Sequence, residues 1–140
     1  MTKEELEQIY YLNRELKMWE DELSRIRAKS LVQSPVGGGS HGSAVSDRVA
    51  QRGERVVELE NRIQAKRDEI QELRNKAVEY ITNGIPDSLT RMIVFYRCVS
   101  LFSFRRVAYE IGGNNTEEGV KKIYYRFFKR AEKSCPECPD

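Results

Sequence analysis

The sequence predicts an all-α protein: a long antiparallel, coiled-coil-like helical hairpin followed by a three-helix domain of helix-turn-helix form. Three observations carry this. Apolar residues recur at a spacing of about 3.5 through most of residues 1–85, the seam of a coiled coil. One Gly/Pro/Ser-rich stretch, at about 29–46, interrupts that seam. Beyond Pro86 the seam gives way to three short amphipathic segments, the last two divided by Gly112-Gly113.

The first helix is expected from about Lys3 to Ala28. Thr2 and Glu5 have the spacing of a capping box, in which hydroxyl and carboxylate each satisfy an orphan backbone N–H. Ile9, Leu12, Leu16, Trp19, Leu23 and Ile26 then form the seam. In Lys29–Ser46, Pro35 and the Gly37-Gly38-Gly39 run oppose helix, through a missing donor and excess backbone entropy. GGGSHGS within it lacks the lysine that a phosphate loop needs, and His41 reads as a solvated residue. Ser46 or Asp47 is the expected start of the second helix, which runs to about Asn83. Its seam is Val49, Val56, Leu59, Ile63, Ile70, Leu73, Ala77 and Tyr80, broken by Arg52 and Lys66, where a polar residue can fix register. Each helix of such a hairpin buries a single stripe, so a homodimer through the hairpin is expected.

Residues 86–133 form the second unit and 134–140 a tail. Asn83-Gly84 is expected to end the hairpin with glycine in the left-handed conformation. Pro86-Asp87-Ser88 starts a helix whose inner face is Leu89, Met92, Ile93, Tyr96 and Val99, with Cys98 as a small packing residue. Ser103 caps a helix with Phe104, Val107, Ala108 and Ile111 pointing inward. After the glycine pair, Asn114, Asn115 and Thr116 are candidate caps for a last helix, 115–131, with Glu117 and Glu118 at its positive end. Its inner stripe is Val120, Ile123, Tyr124 and Phe127. Its outer face carries Lys122, Tyr125 and Lys129, with Lys121 and Arg126 on the flanks.

Charge sharpens the functional expectation. The net charge is +2. It is unevenly placed: residues 1–85 carry a net −1 and residues 86–133 a net +5. A local basic excess on a helix-turn-helix pattern points to nucleic acid. No apolar run approaches the length of a membrane span, and three cysteines do not make a disulfide framework, so a cytoplasmic protein is expected. Cys135-Pro-Glu-Cys138 has the spacing of half a zinc site, but a second pair is missing, and no metal or other cofactor is expected. With one histidine and no Ser/His/Asp set or carboxylate cluster, the chain does not read as an enzyme.

The order VA--IG------V resembles the −35-binding helix-turn-helix in the fourth region of bacterial sigma factors, with Val120 two residues later and a longer turn. The string FRRVAYEIGGNNTEEGVKKIYYRFFKR resembles more closely the ArpU/RinA-like regulators of phages and prophages. Ser46-Asp47-Arg48-Val49 extends the likeness more weakly toward the second hairpin helix. Phe104 stands where that family often has tryptophan, and Gly119 where a small or polar residue is usual. The resemblance implies a DNA-binding transcriptional regulator of phage genes in a bacterial host cell. By position, Thr116, Lys121, Lys122, Tyr125 and Arg126 would face the major groove of double-stranded DNA or its phosphates, and Lys129 lies on the same exposed face and is expected to join them. Arg105 and Arg106 would contact phosphates. Two further readings remain: a DNA-binding packaging subunit like a small terminase, and a coiled-coil protein docking on RNA polymerase.

Overall fold

The computed structural model describes residues 1–32 and 42–134. Among them the fold is all-helical, with no strands. The helices are α1 (Lys3–Val32), α2 (Gly42–Gly84), α3 (Ser88–Val94, continued by a π-helical turn, Phe95–Val99), α4 (Phe104–Ile111) and α5 (Glu117–Lys133). The glycine run and His41 lie outside the described residues, as do Cys135 and Cys138.

Both long helices exceed their expected bounds. α1 continues four residues past Ala28, since Lys29-Ser30-Leu31-Val32 contains neither proline nor glycine. α2 starts at Gly42, before Ser46 and Asp47; Ser43-Ala44-Val45 contains no proline or glycine to stop a helix.

The chain divides into two compact units: residues 12–70, and residues 1–11 together with 71–140. Helices α1 and α2 contribute to both. In the first unit, Leu23, Leu59 and Ile63 are buried together, with Leu16, Trp19, Ile26 and Val56 half-buried against them. Seven seam residues thus meet in one cluster, whereas Val49 is 61% exposed. Lys66, one of the two polar seam breaks, reaches Glu15 Oε2 on α1 at 3.3 Å and Glu69 Oε2 on its own helix at 3.0 Å. The hydrogen bond to Glu69 leads the contacts that hold its ammonium above the usual lysine range. Arg67 pairs with Glu20 at 2.9 Å and Arg27 with Glu60. The α2 partner of Arg27 therefore comes earlier in the chain than those of Glu15 and Glu20. The Arg62 guanidinium lies over the Trp19 ring, 4.8 Å from its centroid.

In the second unit, the capping box at the start of α1 is formed: the Thr2 N–H donates to Glu5 Oε2 at 2.8 Å and the Glu5 N–H to Thr2 Oγ1 at 3.2 Å. Leu6 and Ile9 from α1 and Ala77, Ile81 and Ile85 from the end of α2 and just beyond it join a core with residues of α3, α4 and α5. Gly84 is the last residue of α2 and does not take the left-handed conformation; among the described residues only Gly112 and Gly113 do so as glycines. The stop is supplied instead by Pro86, which disfavours helix at the residue before it.

Asp87 caps α3, accepting from the Thr90 N–H at 3.0 Å and the Thr90 hydroxyl at 2.7 Å. The inner face of this segment is Thr90, Ile93, Val94, Cys98 and Val99. The expected face included Met92, which is 37% exposed. It missed Val94, which is fully buried, and Thr90, a polar residue that an apolar count leaves out. The π turn then brings Val99 inward, after which Leu101, at φ 60°, reverses the chain into α4. A leucine in the left-handed region is costly; here its side chain packs against the core. The Arg97 guanidinium braces the same turn, donating to the Phe102 carbonyl at 3.1 Å.

Candidate nucleic-acid interface

The candidate site is the outward side of α4 and α5, and local chemistry sets its frame. Ser103 Oγ accepts from the Arg106 N–H at 3.2 Å and starts α4. Gly112 and Gly113, at φ 73° and 66°, turn the chain where side chains with a Cβ would be strained. The Asn115 amide donates to the Gly112 carbonyl at 2.9 Å and pins that turn. Of the three candidate caps it is Thr116 that serves, its Oγ1 accepting from the Gly119 N–H at 3.1 Å. That hydroxyl is therefore engaged at the helix start.

The core fixes the rotation of α5 about its axis. Val120, Tyr124 and Phe128 are buried. Ile123 and Phe127, expected inward, are only half-buried, and Phe128 was not expected there at all. The reason is aromatic packing: Tyr124 meets Phe104 edge-on at 5.3 Å and Phe128 at 4.9 Å, which draws Phe128 inward on the Tyr124 side. The rotation leaves Lys121, Lys122, Tyr125, Arg126 and Lys129 exposed, with Arg105 and Arg106 exposed on α4.

These cations fall into two groups. Lys121 lies 3.6 Å from Glu117, and Arg106 lies 3.6 Å from Glu110 and stacks over Phe102 at 3.9 Å. Arg105, Lys122, Arg126 and Lys129 have no carboxylate within ion-pair distance among the described residues. The unpaired set centres on the middle of α5, away from Glu117 and Glu118. Tyr125 stands among these charges, 50% exposed, with one edge against Tyr124 at 5.3 Å and its ring tilted to Phe104 at 6.0 Å. Lys3, a residue that the helical pattern assigns to the hairpin, holds its ammonium 4.9 Å from the Tyr125 ring centroid.

Behind the interface, the Cys98 thiol and the Tyr124 hydroxyl lie 3.5 Å apart. Burial pushes the Cys98 thiol up to about 11 and the Tyr124 hydroxyl well above its ordinary value. Both stay protonated and neutral near pH 7, so this pair is packing and not a nucleophile. Among the described residues no group of three or more His, Cys, Asp or Glu could hold a metal ion, and no helix is long and apolar enough to cross a membrane.

No family model matches this chain, and neither a curated protein nor a solved structure matches it.

Proposed function

We propose that the chain is a sequence-specific, double-stranded-DNA-binding transcriptional regulator of phage or prophage genes that acts in a bacterial cytoplasm. In this reading α4 and α5 form a helix-turn-helix whose second helix enters the major groove. The observation that carries it is the unpaired, exposed cation set Lys122, Arg126 and Lys129 around the half-exposed Tyr125, on a helix whose opposite face is locked into a core. Exposed cations without internal partners are free to displace counterions from phosphates. Arg105 joins them from α4, and Arg106 and Lys121 follow once they release Glu110 and Glu117. The resemblance of residues 104–130 to phage regulators supplies the biological setting.

The long helices complete the proposal as an antiparallel hairpin that pairs two copies. Its support is the small size of the cluster that Leu23, Leu59 and Ile63 form, which leaves apolar surface such as Val49 and Val57 exposed. Sedimentation equilibrium at micromolar concentration is expected to give a dimer, and a monomer there would reject this part alone.

The deciding experiment is selection of binding sites from genomic DNA followed by titration of the selected duplex at several salt concentrations. An enriched, palindromic site bound with a steep salt dependence is the expected result. Salt-dependent binding without an enriched site, by a ring-shaped assembly, would favour the packaging subunit instead. Absence of duplex binding would leave docking on RNA polymerase.

A further inference from the structure

Lys3 is far in sequence from α5 and lies in a segment whose pattern is that of a coiled coil, yet it stands beside the centre of the interface. Its position is fixed from two directions. The reciprocal Thr2–Glu5 capping bonds order the first turn of α1. Leu6 and Ile9, both fully buried, anchor the next turns in the core that also orients α5. The Lys3 ammonium lies 4.9 Å from the Tyr125 ring centroid and 3.7 Å from Glu7 Oε1, with its side chain 27% exposed.

The Lys121 ammonium lies 5.8 Å from the centroid of Phe104, the ring tilted against Tyr125, and 3.6 Å from Glu117 Oε1. Each of these two cations thus has an aromatic ring to one side and a single carboxylate within its own helix. Partly exposed pairs of this i,i+4 kind are weak and are given up readily to a stronger anion. A phosphodiester is such an anion, with oxygens that accept from an ammonium at close range.

We propose that Lys3 is a phosphate-contacting residue of the interface: on binding DNA its ammonium leaves Glu7 for a backbone phosphate next to Tyr125. The first turn of α1 then clamps the duplex beside Tyr125. Glu7 is the internal anion that holds Lys3 in place until the phosphate arrives. The inference rests on the DNA-binding reading above and adds to it a contact from the opposite end of the chain.

The test is titration of the full-length chain and its variants with the selected duplex between about 50 and about 200 mM salt. Loss of one phosphate contact lowers the salt slope by about 0.9, so Lys3→Gln is expected to lose about 3.5-fold less affinity across that range than the unmodified chain. Lys3→Arg, which keeps the charge, is expected to retain the unmodified slope. Glu7→Gln removes the competing carboxylate and is expected to tighten binding with the slope unchanged. The Glu7→Gln variant keeps the inference testable should Lys3→Gln disturb the helix start. Circular dichroism checks that each variant is folded. If Lys3→Gln binds with the affinity and slope of the unmodified chain, or Glu7→Gln weakens binding, this inference is overturned and the proposed function stands. If the unmodified chain shows no salt-dependent duplex binding, both are overturned.

Discussion

The Cys98 Sγ lies 3.5 Å from the Tyr124 Oη, so the π turn after α3 and the inner face of α5 meet through a buried thiol and phenol. Both groups are neutral in the folded state and resist ionisation there, chiefly because burial disfavours the charged forms. The unfolded chain loses these protons at lower pH. Stability contributed by this pair is therefore complete below the ordinary thiol range and falls as pH rises through it.

The expected outcome is an alkaline loss of stability. Between the ordinary thiol value of 9.0 and about 11, where Cys98 would ionise in the folded state, stability falls by up to about 1.4 kcal/mol per pH unit from this one group. Thermal unfolding followed from pH 8 to about pH 10.5 checks it. Cys98→Ala should make the curve shallower in that window, most clearly below the ordinary tyrosine value of 10.0, although it lowers stability near neutrality by leaving a small cavity. A thiol reagent should react with Cys98 only under denaturing conditions.

The outer face of α5 gives the second prediction. Lys122→Ala and Arg126→Ala should each weaken duplex binding while leaving helical content unchanged. Both side chains are exposed and neither braces the core. Each should also lower the salt slope by about 1. Unchanged affinity in both variants, read by fluorescence anisotropy, would move the contact face away from the middle of α5.

Two glycines should respond in opposite senses to alanine. Gly112 sits at φ 73°, where a Cβ is strained, and Gly112→Ala should cost about 1–2 kcal/mol in chemical denaturation. Gly53 lies inside α2 with open space around it, so Gly53→Ala should stabilise by about 0.5–1 kcal/mol. A loss of stability in Gly53→Ala would mean that α2 is packed against something at that position in solution.

Asp87 caps α3 through Thr90, and the hydrogen bonds from that hydroxyl and backbone N–H hold its carboxyl below the ordinary 3.8. With the folded value depressed, the cap stabilises above the unfolded value and is lost as pH falls through the folded one. Asp87→Ala should therefore lower Tm at pH 6, and the difference from the unmodified chain should shrink below the ordinary 3.8. A difference that stays constant with pH would show that the carboxylate charge plays no part in the cap.

The local features of this protein were legible in the sequence because their causes are local. The capping box of Thr2 and Glu5, the cap at Ser103 and the glycine turn before α5 each depend on residues within a few positions of one another, whereas spacing left the start of α3 open within Pro86-Asp87-Ser88 and that of α5 among Asn114, Asn115 and Thr116. The outer face of α5 was legible for the same reason: helical spacing places Lys122, Tyr125, Arg126 and Lys129 opposite Val120 and Tyr124, whatever surrounds the helix. Periodicity also marked seven seam residues of α1 and α2 that meet in one cluster. Tertiary packing decided the rest. Edge-on contact with Tyr124 chose Phe128 over Phe127 for burial, and the inner face of α3 took in Val94 and the polar Thr90 in place of Met92. Only a shared core containing Leu6, Ile9 and Tyr124 could bring Lys3 to Tyr125. Such a meeting depends on which buried surfaces fit together, and spacing along the chain carries no record of it.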